Sequence, residues 1–136
     1  MGHSSENQEN SEMHVEQATP YVLSELKGQV LWLTLNRPAQ RNPLSSQMIS
    51  SLSGALASAA DDPGVRVVVI AGTGPVFSAG HDLREMGQFE GESRGERMTR
   101  IRGILEDCAR MMLAIVHSPK AVIACVQGTA TAAGCQ

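Results

Sequence analysis

The sequence predicts an α/β fold in which helices are layered on a mostly parallel sheet, and three observations carry that expectation. Two short apolar runs, residues 66–71 and 121–126, are rich in Val, Ile and Ala and carry almost no charge. Such runs suit strands buried on both faces, hence central and parallel. Two longer segments, one before and one between these runs, repeat their apolar residues at helical spacing. The resulting alternation of strand and helix is the pattern of crossover connections in a layered fold.

Each element has its own local reason. Residues 21–26 alternate apolar and polar, Lys27-Gly28-Gln29 offers a turn, and residues 30–35 form a second β-rich run. Two such runs around a glycine predict a hairpin. Pro38 and Pro43 predict an irregular loop over 36–43. Ser45 or Ser46 can cap a helix ending near Ala60, with Met48, Ile49, Leu52, Ala55, Leu56 and Ala59 on one face. A longer helix opens between Glu92 and Glu96 and closes near His117, before Ser118-Pro119. Its expected stripe is Met98, Ile101, Leu105, Cys108, Met112 and Ile115, supplemented by Ile104 and Met111. Residues 1–19, polar and aperiodic, predict a disordered acidic tail; residues 20–136 are expected to form the folded domain.

Composition excludes several function classes. At 136 residues the chain holds one domain. Its charge of −3 is uneven, because the tail carries Glu6, Glu9, Glu12 and Glu16 with no Lys or Arg. The near-neutral body lacks the basic excess of a nucleic-acid binder. No apolar run approaches the ~18 residues a membrane span needs, so neither nucleic acid nor membrane is an expected partner. The three cysteines, Cys108, Cys125 and Cys135, show no C-x-x-C pair. Cys108 and Cys125 fall at apolar positions and predict buried reduced thiols, which with the tail's composition makes the cytoplasm the expected compartment.

Chemistry concentrates in two glycine-punctuated turns. Residues 73–83 read Thr-Gly-Pro-Val-Phe-Ser-Ala-Gly-His-Asp-Leu, directly after the first apolar run. The second run leads into Gln-Gly-Thr-Ala-Thr-Ala-Ala-Gly-Cys-Gln, ending at Gln136. Two strands ending in small-residue turns can each leave a backbone N–H aimed at one point, the device that stabilises charge on a carbonyl oxygen. Other candidates have plainer readings. Asp82 is expected to cap a short helix over 83–87. Arg94, Arg97, Arg100 and Arg102 suit a solvated face paired with Glu96 and Glu106. His117 suits the end of its helix. No ligand-type residues recur at metal spacing, and Gly72-Thr73-Gly74-Pro75 lacks the Lys-Ser/Thr of a nucleotide loop.

Three blocks then carry a resemblance. Leu35-Asn36-Arg37-Pro38 with Arg41-Asn42, Phe77-Ser78-Ala79-Gly80-x-Asp82-Leu83, and Gly128-x-Ala130-x-x-Ala133-Gly134-Cys135 together resemble the enoyl-CoA hydratase/isomerase (crotonase) superfamily. The match covers about residues 20–136. It implies a spiral of ββα units, here in its N-terminal part only, and an acyl-CoA thioester ligand. Coenzyme A would arrive as part of the substrate, with no separate cofactor. Relatives form trimers, often paired into hexamers. By motif position the backbone N–H groups of His81 and Ala133 would be the oxyanion donors, while Arg37, Ala39, Arg41, Ala79 and Leu83 would meet the CoA moiety. The His81 side chain is not expected to be catalytic.

The sequence departs from the family at one position of consequence. Where hydratases carry an acid/base glutamate after Gly-Cys, this chain has Gln136. An amide does not exchange a proton near neutral pH, though it can orient water or substrate. A second family glutamate would lie beyond Gln136. Classical hydration by this chain is therefore not expected; the resemblance implies lyase or isomerase chemistry on an enoyl-CoA thioester through a stabilised enolate, in fatty-acid or other acyl-CoA metabolism. A non-catalytic acyl-CoA binding or interaction protein, or an inactive truncated fragment, are the alternatives.

Overall fold

A computed structural model of the chain describes residues 19–136. The tail expected over 1–19 lies outside the described residues except for Thr19. In chain order the elements are β1 (Val22–Lys27), β2 (Val30–Leu35), a 3-10 turn (Pro38–Gln40), α1 (Ser46–Asp61), β3 (Val67–Gly72), β4 (Val76–Ser78), α2 (Leu83–Met86), α3 (Arg94–Val116), β5 (Ala121–Cys125), β6 (Thr129–Ala130) and a closing 3-10 turn (Ala132–Cys135). Four strands form one sheet in the order β1-β2-β3-β5, and β4 pairs with β6 in a second.

The hairpin forms as expected, with Lys27 opposite Val30 and Gly28 at φ +61 in the turn. From β2 onward the sheet is parallel: Leu33 pairs with Ile70, and Ile70 with Ala124. Helices α1 and α3 pack on each other and on the sheet, around Leu33, Met48, Ile49, Val68, Ile104 and Met111. Burying one such side chain contributes about 1.5–3 kcal/mol. Serines set both helix starts. Ser45 Oγ accepts from Met48 N–H at 3.2 Å, and Ser93 and Glu96 form a reciprocal capping box.

Four expectations need correction. Strand β5 is not buried on both faces; among the described residues it is an edge strand, paired only with β3, and only Val122 of its five residues is half-buried. Composition suited it to the interior, but burial is decided by what lies beside a strand. Cys125, on β5, is accordingly exposed, while Cys108 is buried as expected. On α3 the buried line is Ile104, Cys108 and Met111, with Met98 and Leu105 exposed. Cys108 of the expected stripe is thus joined in the core by the supplementary Ile104 and Met111, while Ile101, Met112 and Ile115 are half-buried. Finally, the loop over 36–43 contains a 3-10 turn beginning at Pro38. Proline suits a first helical position, where its missing N–H would have no partner anyway.

Candidate functional site

The short β4–β6 ladder builds the site. It pairs Val76 with Thr129 and Ser78 with Ala130, bringing the ends of two otherwise separate strands together. The turns that follow stay in contact. Thr131 N–H donates to Ser78 C=O at 3.1 Å, and Thr131 Oγ1 donates to Ala79 C=O at 3.1 Å. Two glycines make this approach feasible. Gly80 sits at φ +85, and a Cβ there would lie 3.0 Å from Ala132 Cβ and 3.2 Å from Ala133 N. A Cβ on Gly134 would stand 2.6 Å from Ser78 O, closer than any real contact.

The expected donors lie on these touching turns. Within the closing 3-10 turn the first internal bond runs from Gly134 N–H to Thr131 C=O at 2.8 Å, so the Ala133 amide precedes the turn's own hydrogen bonds. His81 forms a bridge with Leu44 in which Leu44 N–H donates to Gly80 C=O at 2.7 Å. Among the described residues, neither the His81 nor the Ala133 amide donates to a turn, loop or side-chain acceptor. On the His81 ring, Nδ1 is buried without a partner among the described residues.

Beside Ala133 an apolar cavity of about 220 Å³ opens between α3 and the sheet. Leu35, Ile70, Phe77, Met111 and Ile115 supply its walls, and Gln136 stands with Ala133 and Gly134 along the same lining. Gln136 is exposed, and its backbone N–H donates to Ala133 C=O at 3.2 Å.

The five residues assigned to the CoA moiety are placed unequally. Arg41 and Ala79 are joined by an Ala79 N–H to Arg41 C=O bond of 3.0 Å, which ties their loop to the His81 turn. Arg41 is exposed, at φ +67. Ala39 is exposed on the 3-10 turn, and Leu83 is 80% exposed at the start of α2. The Arg37 guanidinium is occupied: it donates to Thr19, Pro20 and Asn36 carbonyls and stacks 3.6 Å from the Tyr21 ring. Its evident work here is to pin the chain before β1.

Charged groups around α2 are also committed. Asp82 caps the helix as expected, accepting from Arg84 N–H at 3.0 Å. The side-chain hydrogen bond from the Arg84 guanidinium, at 2.7 Å, holds its carboxyl below the usual carboxylate range against a partial offset from burial. An ionised, paired Asp82 is poorly suited to carry protons near neutral pH. Glu85 accepts from Ser46 N–H at 2.8 Å and Oγ at 2.9 Å, tying α2 to the start of α1. The arginines of α3 hold the other end. Arg100 donates to the Glu85 and Gly87 carbonyls and to Glu92, and stacks 4.0 Å from Phe89. The expected pairing with Glu96 does not form, because Ser93 takes that carboxylate. His117 caps α3 through its backbone, donating to Leu113 C=O at 2.9 Å.

Two residues central to this arrangement, Asn42 and Ser78, had no assigned role in the sequence. Both are almost wholly buried and hydrogen-bonded on several sides. The signal available was a polar residue in each motif block, without an indication of what it would bond. Among the described residues no three His, Cys, Asp or Glu side chains group in a way that could hold a metal ion. Nor is any helix there long and apolar enough to cross a membrane.

Known proteins share both this sequence and this architecture. Enoyl-CoA hydratase domain-containing protein 3 of Danio rerio, named as mitochondrial, is 42% identical over 115 residues, covering 85% of this chain and 38% of its own length. The 2,3-dehydroadipyl-CoA hydratase of Escherichia coli is 37% identical over 108 residues, covering 79% and 38%. The crystal structure of human enoyl-CoA hydratase domain-containing protein 3 superposes with a TM-score of 0.76 at 33% identity, covering 85% of this chain and 43% of that one. The chain thus spans about two fifths of the length of these relatives, and over that span it has their crotonase-type architecture. The enoyl-CoA hydratase/isomerase family model matches residues 25–136, and the chain belongs to that family.

Proposed function

We propose that this chain handles acyl-CoA thioesters, with the His81 and Ala133 amides donating to the thioester oxygen as it gains enolate charge. The observation that carries this reading is the contact between two small-residue turns, each offering an amide unpaired among the described residues, beside an apolar cavity of acyl-chain character. Fixed donors stabilise developing charge without reorganising, and losing one costs about 3–4 kcal/mol of transition-state stabilisation in other enzymes. Gln136 would orient water or substrate rather than exchange a proton. Lyase or isomerase steps through an enolate, within acyl-CoA metabolism, are the chemistry this supports, with coenzyme A arriving on the substrate. Assembly as a trimer or hexamer belongs to the same reading. The free thiols suit any reducing compartment, the cytoplasm or the mitochondrial one in the relatives' names.

One observation favours a second reading, binding without turnover. Asp82 is tied to Arg84, and Gln136 stands where a carboxylate would otherwise work, so neither is a ready proton carrier. Incubating the chain with acetyl-CoA in D₂O separates the readings. Exchange of the thioester α-protons, followed by NMR, supports enolate stabilisation. Calorimetric binding without exchange supports the second reading, and an absence of both contradicts the first and the second together.

A further inference from the structure

We propose that Asn42 and Ser78 are positioning residues that together set the separation of the His81 and Ala133 amides, an inference that rests on the enolate-stabilising reading above. Asn42 stands outside the lining of the apolar cavity, and Ser78, which lines it between Phe77 and the Ala133 turn, acts on the donors through backbone groups.

Asn42 is fully buried, at 0% exposure, and every polar group of its side chain is used. Its Oδ1 accepts from Arg37 N–H at 2.8 Å, and its Nδ2 donates to both Thr73 and Val76 carbonyls at 2.9 Å. The residue itself sits at φ +49, a left-handed conformation that Asn adopts more readily than most residues. One amide thereby joins the loop after β2 to the turn between β3 and β4. The backbone carbonyl of Asn42 then accepts from Ser78 Oγ at 2.9 Å, which passes the constraint to β4.

Ser78 divides it between the two turns. Its hydroxyl oxygen accepts from Gly80 N–H at 3.3 Å, one residue before His81. Its carbonyl accepts from Thr131 N–H at 3.1 Å, two residues before Ala133, and is the atom against which Gly134 is pressed. Ser78 is 1% exposed, so water does not offer these groups an alternative partner. A displacement of Ser78 by a fraction of an ångström moves both amides. In a site where donors must be held within ~0.5 Å of their target, such a shift is felt as lost polarisation of the ligand rather than lost binding.

The test uses the full chain with acetyl-CoA carrying a ¹³C thioester carbonyl, read by difference infrared spectroscopy. Bound to the unaltered chain, the carbonyl stretch should fall below its value in water. Ser78→Ala, which removes the hydroxyl bridge, should lose more than about half of that lowering per bound ligand, while affinity changes by less than about threefold. Asn42→Asp, isosteric but unable to donate to Thr73 and Val76, should do the same. Circular dichroism on each sample reports folding, and Ser78→Ala decides the matter where Asn42→Asp does not fold. A folded Ser78→Ala chain with the full lowering overturns the positioning role and leaves the thioester reading standing. Binding by the unaltered chain with no lowering overturns the donor assignment and this inference with it.

Discussion

Strands β3 and β5 are neighbours of nearly the same composition, Val-Val-Val-Ile-Ala-Gly and Ala-Val-Ile-Ala-Cys, yet they live in different environments. On β3, Val68, Val69 and Ile70 are all buried. One strand over, Ile123, the register partner of Val69, is 53% exposed. Along the row Trp32, Val69, Ile123 the central residue is buried best and the edge residue least. Apolar character made both runs strands; only a strand on each side made one of them interior. The lesson extends to the site, whose polar core at Asn42 and Ser78 sits at the enclosed end of β3 and β4, where neighbours surround it.

Alanine substitutions should separate the two strands by the widest margin. Ile70→Ala should cost about 2–5 kcal/mol by chemical denaturation, whereas Ile123→Ala should stay within about 0.5 kcal/mol. Equal costs would mean that β5 is covered in solution. Thiol labelling sharpens the same contrast. Cys125 on the β5 edge and Cys135 should react in the native state more than about tenfold faster than Cys108, whose thiol burial pushes up. Equal rates would contradict the buried seam between α1 and α3.

Smaller effects compare the two helix starts. Ser45, buried at the enclosed end, should cost about 1–2 kcal/mol as Ser45→Ala, and the exposed Ser93 about 0.5–1 kcal/mol as Ser93→Ala, both by thermal unfolding. The smallest effect concerns acid. The hydrogen bond from Arg100 lowers the Glu92 carboxyl to about 2 from 4.5. A carboxyl lowered on folding contributes stability that is whole above the unfolded value and lost as pH falls towards the folded one. Stability should therefore decline between about pH 4.5 and 2, and Glu92→Gln should flatten that part of the curve. An unchanged acid limb in the variant would assign the decline to other carboxylates.

Much of this was legible in the sequence, for local reasons. The hairpin, both long helices, the central β3 and the Asp82 cap each follow from residues within a few positions of one another. The two chemical turns were legible as small-residue motifs. What the sequence concealed depends on neighbours far along the chain. The exposure of β5 follows from its place at the sheet edge, and the buried line of α3 from where α1 lies. Glu85 found Ser46, 39 positions away, and Arg100 found Glu92 while Glu96 turned to Ser93. Asn42 and Ser78 stood in plain view within the motifs, but a polar residue becomes a hub only when the fold brings three loops to it.

In the proposed function the amides of His81 and Ala133 meet one thioester oxygen. Amide NMR of the uniformly ¹⁵N-labelled chain, titrated with acetyl-CoA and separately with free coenzyme A, tests it most directly. Both amide protons should move downfield with the thioester and not with free coenzyme A. Saturable acetyl-CoA binding that leaves either amide where it stood would contradict it.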